Sequence, residues 1–385
     1  MSLLLLDSLS RYGSTDGASA LPFLNRYGWS STGNVHNRNN ASLFGANVLQ
    51  MQGGGSGKSA FWGSLYRPIT TSTFGLSFKG CAISNVGNGG EFWNNFLIIY
   101  FANGNHCLLM NRTYRTTSGS NNITTVDYVN SQLNGGWRNG FGVTSQVFSN
   151  VSTSTNLWTS TINILNWFHY DVLVNTASRT LVCRVITPNG VVSQATMISD
   201  LPISNMTGFY LGAINQNAAF LVSDVVLWTA DSVGFSAFPN NPRGLRIQRI
   251  TPSSNGTLNN WTPSSGTNVA AVSETPYSDA QFSAGVGSGT KQTFFMNSLG
   301  TSLNSVKGGI QAVQLNPNCI DAGGNASLLV PIQIIGGTET PMNSGIVPSR
   351  VTFANAPSII TTNPATGQRY TASQINNAEI GFNVQ

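Results

Sequence analysis

The sequence predicts an all-β protein: a large β-sandwich followed by a smaller β-rich domain with one short C-terminal helix. Three observations predict it. Charged residues make up 8% of the 385 residues, against about 25% in an ordinary soluble domain. Ser, Thr, Asn, Gln and Gly must therefore solvate the surface. Hydrophobic residues make up 40% of the chain and the net charge is +5, which is the opposite of a disordered composition. Short apolar–polar alternations recur between Gly, Asn and Pro, with almost no helical periodicity, as in sandwiches of many short strands. The length exceeds what one hydrophobic core fills, so two domains, with room for a small third unit, are expected.

The elements follow in order. Ser2-Leu3-Leu4-Leu5-Leu6 reaches Asp7 with no basic residue before it. It is too short for a signal-peptide core and reads as a strand. Val48, Met51 and the alternation Phe74, Leu76, Phe78 mark half-buried strands. Phe96-Leu97-Ile98-Ile99-Tyr100-Phe101 is a buried strand, and no run approaches the roughly 18 apolar residues of a membrane span. Strands are expected over 167–174 and 181–186, then a hairpin at Pro188-Asn189-Gly190, because Asn-Gly accepts the positive φ of such turns. Val191-Val192 returns, and strands over 208–212 and 220–228 complete the sandwich.

The pattern breaks at Phe238-Pro239-Asn240-Asn241-Pro242 and again over 251–266, a stretch rich in Ser, Asn, Gly and Pro. The sandwich is therefore assigned to 1–240, a connecting segment to 241–266 and the second domain to 267–385. That domain carries strands at 294–296, 310–315 and 328–335. Thr371-Ala372-Ser373-Gln374 fits a capping box, in which Thr accepts from the N3 amide and Gln reaches back. Ile375 and Ala378 give that helix an apolar side, and Ile380, Phe382 and Val384 alternate as a last strand.

Several motifs could carry chemistry. Gly53-Gly54-Gly55-Ser56-Gly57-Lys58-Ser59 imitates a phosphate-binding loop, but Gln52 stands where the first Gly belongs. The residues after it are aromatic and strand-like, where that loop needs a helix N-terminus. A flexible turn is expected. The thirteen acids are scattered, whereas glycoside hydrolysis needs two convergent carboxylates; a cleavage test would target acids such as Asp127 and Asp171. His36, His106 and His169 are the only histidines. His169 shares a strand face with Trp167 and Asp171, which reads as sheet packing rather than zinc ligation or a nucleophile–base pair. Asp224, inside an apolar strand, reads as a solvent-face residue or a hydrogen-bonding partner for a neighbouring loop, rather than a ligand-binding residue. No catalytic, cofactor-binding or metal residue is assigned.

Cys81, Cys107, Cys183 and Cys319 have no metal-ligand spacing and are expected as free thiols. Arg243, Arg246 and Arg249 are the densest basic stretch, but period two puts Arg243 opposite Arg246. No phosphate-neutralising stripe forms, so no nucleic-acid partner is expected. Sequons at Asn111, Asn205 and Asn325 follow from composition alone and carry no glycosylation inference. Trp29, Trp62, Trp93, Trp137 and Trp158 lie among Gly, Asn and Ser, as sugar-stacking residues do, although aromatics also fill sandwich cores.

Leu4-Leu5-Leu6-Asp7-Ser8 with Arg11-Tyr12-Gly13 resembles the opening of tailed-bacteriophage virion proteins that carry a concanavalin A-like, laminin-G-like jelly roll. Gly45-Ala46-Asn47-Val48-Leu49-Gln50-Met51, Trp167-Phe168-His169-Tyr170-Asp171-Val172 and Leu221-Val222-Ser223-Asp224-Val225-Val226-Leu227-Trp228 are similar to later strands of that family, in the same order. In the second half, Arg246-Ile247-Gln248-Arg249-Ile250-Thr251-Pro252 and Asn260-Trp261-Thr262-Pro263-Ser264-Ser265-Gly266 resemble it too. So do Ile310-Gln311-Ala312-Val313-Gln314 and the ending Asn363-Pro364-Ala365-Thr366-Gly367-Gln368-Arg369-Tyr370-Thr371, with Tyr370 where the family has Trp. A single Asp224 stands where two acids are common.

The resemblance implies an N-terminal jelly-roll sandwich and a non-enzymatic structural component of the virion. The expected role is a head decoration or cement protein, or a collar or tail appendage. The alternative is a receptor-binding adhesin that recognises host surface glycans through the jelly roll. Implied partners are the major capsid, collar or tail proteins and further copies of the chain, with a trimer by analogy. A host glycan is the alternative's ligand. No membrane partner and no cofactor are expected. The place of action is the virion, assembled in the host cytoplasm.

Overall fold

The computed structural model describes residues 2–9, 21–32, 34–38, 48–52, 64–84, 91–115, 122–132, 146–147, 161–162, 168–186, 192–198, 203–212, 218–229, 247–273, 279–299, 310–323 and 328–385. The chain divides into two units, Met1–Ile247 and Gln248–Gln385.

The first unit is built from two antiparallel sheets of eight strands each. One runs Val192–Ile198, Thr180–Ile186, Phe168–Asn175, Thr73–Ser84, Ala218–Thr229, Val48–Gln52, Asn34–Arg38, and Ser2–Asp7 also pairs with Ala218–Thr229. The other runs Gln146–Val147, Asn122–Gln132, Asn105–Arg115, Glu91–Phe101, Met206–Gly212, Ser64–Thr71, Ser30–Thr32, and Thr161–Ile162 also pairs with Asn122–Gln132. Neighbours are often distant in sequence: Thr73–Ser84 lies between Phe168–Asn175 and Ala218–Thr229. The chain therefore passes between sheets before returning to a partner, which is the winding of a concanavalin-like jelly roll.

Period two decides what each face carries. On the first sheet Phe74, Leu76 and Phe78 stand opposite Val174, Val172 and Tyr170, all buried, with the Phe78 and Tyr170 rings stacked at 5.1 Å. On the second, Phe209 and Leu211 stand opposite Ile99 and Leu97, again buried. Burial of each such side chain contributes about 1.5–3 kcal/mol. The alternate residues point the other way: Ser77, His169, Asp171 and Arg184 on the first sheet, Tyr66 and Tyr210 on the second.

The opening strand is tied into this core by Asp7. Its Oδ2 accepts from Trp29 Nε1 at 3.0 Å and its Oδ1 from the Leu9 amide at 2.8 Å. Trp29 meets Phe209 edge-on at 5.8 Å. On the opposite face of the first sheet, Leu173, Val226 and Trp228 pack with Leu3, Leu6, Val182 and Ile247. Gly75 leaves room for the Trp228 ring there, since a Cβ would lie 2.0 Å from it.

The second unit holds a five-stranded antiparallel sheet in the order Pro252–Asn259, Lys291–Met296, Glu379–Val384, Leu329–Ile335, Thr338–Pro341. Leu299, Met342, Ile360, Tyr370, Ile375, Ala378 and Ile380 form its core. The C-terminal helix spans Ala372–Asn376 and carries the expected reciprocal capping box between Thr371 and Gln374.

Two features differ from expectation. The connecting segment assigned to 241–266 contains a strand, Pro252–Asn259, of the second sheet, and the units divide between Ile247 and Gln248. Ser, Asn and Gly there mark a polar edge strand rather than a linker, a distinction only pairing makes. Two further short helices also occur, Leu21–Arg26 and Asn268–Ser273. The second begins where Thr267 Oγ1 accepts from the Ala270 amide at 3.2 Å. Asn268 anchors it by donating to Asn259 Oδ1, the Trp261 carbonyl and Gln292 Oε1.

Candidate functional site

The structure brings His169 and Asp171 together with Ser77. Ser77 Oγ donates to Asp171 Oδ1 at 2.6 Å, and His169 Nε2 lies 2.8 Å from Ser77 Oγ and 3.1 Å from the same Asp171 oxygen. Arg184 Nε donates to Asp171 Oδ2 at 3.1 Å. Ser, His and Asp are thus adjacent without the wiring of a hydrolytic triad. There the imidazole faces the serine with one nitrogen and the carboxylate with the other. Here Nε2 faces both. The Ser77 proton goes to Asp171, so Nε2 must carry its own hydrogen and has no lone pair to act as base. Burial raises the Asp171 pKa, but the hydrogen bond and charge of His169, the Ser77 hydroxyl and Arg184 more than offset it. The carboxyl is held below its ordinary range. The cluster is a closed network that fastens three adjacent strands.

Of the two readings for Asp224, the structure supports the hydrogen-bonding partner and not the solvent-face residue, since Asp224 is buried. It sits at a break in register between Ser223 and Val226 with φ 53°, a backbone that costs a non-glycine residue about 1–3 kcal/mol. Oδ1 accepts from the Ile247 amide at 3.2 Å and Oδ2 meets Lys79 Nζ at 2.9 Å. The carboxylate is fully engaged as a loop anchor.

In the second unit the resemblance-bearing run 363–371 is also explained by packing. Asn363 Oδ1 accepts from Gln333 Nε2 at 2.7 Å and from the Ala365 amide at 3.0 Å. Its carbonyl accepts from the Thr366 and Gly367 amides. Tyr370 Oη donates to Gln333 Oε1 at 2.7 Å. A buried phenol serves here because a hydroxyl reaches the glutamine. Glu379 Oε2 accepts from the Thr257 amide at 2.7 Å, Thr257 Oγ1 at 3.0 Å and Thr293 Oγ1 at 2.7 Å.

The second sheet of the first unit presents a different arrangement on the face away from Phe209. Tyr66 stands directly opposite Tyr210, and Tyr100 opposite Gly208. Tyr66 and Tyr210 rings lie 4.6 Å apart, tilted by 37°; Tyr210 and Tyr100 lie 5.5 Å apart at 67°. All three rings are half-buried, and exposed Ser30 pairs with Tyr66 at one end of the row. Gly208 makes the row possible, since a Cβ there would sit 2.4 Å from the Tyr66 hydroxyl oxygen. Tyr66 Oη donates to the Thr207 carbonyl at 3.3 Å. Burial, then the neighbouring phenols, push the Tyr100 and Tyr210 pKa values up, so both stay protonated. The result is an uncharged aromatic ledge crossing three strands, with hydroxyls along it.

None of these tyrosines was singled out by sequence as a site residue. The available signal was alternation: Phe209 and Leu211 inward requires Tyr210 outward. Trp29 is core, with 1% of its surface exposed. Trp93 lies on Glu91–Phe101, and Trp62, Trp137 and Trp158 fall outside the described residues. His36 and His106 lie on Asn34–Arg38 and Asn105–Arg115, and Asp127 on Asn122–Gln132. Residues 53–59, 188–190, Arg243 and Arg246 are outside the described residues; 64–71, shortly after the glycine-rich run, is a strand. Cys183 and Cys319 are in no disulfide, and burial pushes the Cys319 thiol up to about 11. Among the described residues no group of three or more His, Cys, Asp or Glu could hold a metal. No described helix is long and apolar enough to cross a membrane.

No family model and no curated protein sequence matches the chain. Among solved structures it is similar to peanut lectin with a 9mer peptide, at 12% identity over 52% of this chain and 90% of that one, with TM-score 0.31. A lectin from Bauhinia forficata in complex with GalNAc is 13% identical over 59% and 97%, with TM-score 0.34. The alginate lyase from Klebsiella pneumoniae is 7% identical over 51% and 84%, with TM-score 0.32. The chain is an all-β protein whose first unit is a concanavalin-like jelly roll, a description that rests on its own sheet order.

Proposed function

We propose that the chain is a glycan-binding adhesin that engages host-surface carbohydrate through the ledge of Tyr66, Tyr210 and Tyr100. The observation that carries this reading is the ring cluster itself, part-buried on one face of the sheet, with ring centroids 4.6 and 5.5 Å apart. The electron-rich face of an aromatic ring attracts the C–H face of a sugar, and adjacent hydroxyls give orientation. In this reading the chain binds and does not cleave, in keeping with the engagement of Asp171 by Ser77, His169 and Arg184.

The setting in this reading is the surface of a tailed-bacteriophage particle, on the head, collar or tail, and it rests on the ordered resemblance of the motifs. The chain would assemble in the host cytoplasm, self-associate, by analogy as a trimer, and contact capsid, collar or tail proteins. A second reading, favoured by the 8% charged composition, is a head decoration or cement protein. Few charges make subunit association insensitive to salt.

A glycan array probed with the full chain separates the two. The adhesin reading expects binding that Tyr210→Ala abolishes; no binding to any glycan leaves the scaffold. Immunogold labelling of purified particles tests the setting, and absence of label from head, collar and tail would remove it.

A further inference from the structure

We infer that the edge strand Val192–Ile198 pairs antiparallel with the same strand of a second copy of the chain, joining two eight-stranded sheets into one across a two-fold axis. The inference stands apart from the adhesin reading and gives the self-association named there a surface. Val192–Ile198 ends its sheet, and it pairs with Thr180–Ile186 residue for residue over all seven positions, with no break in register. Among the described residues no strand lies on its other side. Alternate residues of such a strand turn their N–H and C=O groups outward, a ready template for another strand.

The other sheet ends are protected in ways this one is not. Asn34–Arg38, at the far end of the same sheet, is five residues long and carries Arg38. Ser2–Asp7 has a register shift between Leu3 and Leu5. The second sheet ends on Gln146–Val147 and Ser30–Thr32, of two and three residues. Asn122–Gln132, which Gln146–Val147 and Thr161–Ile162 cover in part, carries Asp127. The five-stranded sheet ends on Pro252–Asn259, with two register shifts, and on Thr338–Pro341, four residues with Glu339 and Pro341. Val192-Ser193-Gln194-Ala195-Thr196-Met197-Ile198 has no charge, no proline and no bulge. It is the one bare edge among them.

Charge and symmetry select the partner. A charged peptide finds no opposite charge along this strand, and Arg184, one strand in, is held by Asp171. Turned over on itself about Ala195, the strand sets Gln194 against Thr196, Ser193 against Met197 and Val192 against Ile198, so no like charges meet. About six to eight hydrogen bonds form between the two copies. Both open edges close on each other, so the contact stops at two copies rather than running on as a filament. An assembly that uses it holds an even number of chains, and a trimer built on other contacts would double.

The test is sedimentation equilibrium of the full chain from about 0.1 to about 100 µM. Two chains of 40.9 kDa, or an even multiple, are expected. Positions 194 and 196 stand opposite Arg184 and Val182, on the sheet face that carries Asp171 and Ser77. Gln194→Lys with Thr196→Lys sets lysine against lysine twice and should weaken association about tenfold or more. Gln194→Glu with Thr196→Glu should do the same. An equimolar mixture of the two double variants should restore the association as a hybrid, with each variant's circular dichroism close to wild type. Hydrogen exchange of the wild type needs no variant: the 192–198 amides should exchange faster as the protein is diluted. A single chain or a fixed trimer at every concentration overturns the inference. So do association that both variants leave intact, a mixture that stays apart, and exchange at 192–198 that ignores concentration. None of these outcomes touches glycan binding, so the adhesin reading stands or falls on the array.

Discussion

Gly208 lies against the Tyr66 ring so closely that a Cβ would sit 2.4 Å from the Tyr66 hydroxyl oxygen and 2.5 Å from Cε2. The bare backbone of one strand is the floor on which the neighbouring strand's ring rests. Gly208→Ala should therefore move Tyr66 off the ledge. The expected cost is about 1–3 kcal/mol of stability from overpacking, with a weakened glycan affinity and an altered near-ultraviolet aromatic spectrum. Unchanged binding and an unchanged spectrum would show that Tyr66 does not need this floor.

Asp171 ties His169, Ser77 and Arg184 together at the sheet face. Asp171→Asn leaves the part-buried Arg184 without its carboxylate, and breaking a buried pair from one side costs about 3–5 kcal/mol. Because the folded carboxyl titrates below its unfolded value of about 4, its contribution is complete above that pH. It fades as pH falls through the lower folded value. Urea denaturation followed from pH 7 to pH 2 should show wild type losing stability at the acid end, while Asp171→Asn lacks that component.

Tyr370 is buried, and burial pushes its phenol up to about 12. A phenol raised in the folded state favours folding below the unfolded value near 10, and that support is lost between about 10 and about 12. Tyr370→Phe should cost about 1–3 kcal/mol at neutral pH, because Gln333 Oε1 loses its donor. It should also remove this part of the alkaline transition. Denaturation midpoints at pH 7 and pH 11 check both statements.

Thr371→Ala removes the hydroxyl that accepts from the Gln374 amide at 3.1 Å. Loss of an N-cap costs about 1 kcal/mol. Ile375 belongs to the core of the second unit, so the loss should appear as a lower unfolding midpoint of the full chain. Thr371→Ser should restore most of it.

Much of the fold was legible because strands and caps are local. The alternation Phe74, Leu76, Phe78 declares one buried face whatever lies opposite, and Thr371 with Gln374 caps a helix within four residues. The chain's division was less legible. Residues 252–259 are rich in Ser, Asn and Gly, and such a run reads as linker until Lys291–Met296 pairs with it. Asn268–Ser273 is too short to show a period, and what holds it is Asn268 reaching Asn259 and Gln292.

The ledge illustrates the limit. By itself the sequence determined that Tyr210 must point away from Phe209 and Leu211, because a strand's side chains alternate. It also determined that the chain is all-β and nearly uncharged. Only the tertiary structure decided that Tyr66 and Tyr100, from strands far apart in the chain, would flank Tyr210 on one face. Pairing register is a long-range quantity, set by which strands the sandwich core brings side by side, and no local pattern encodes it.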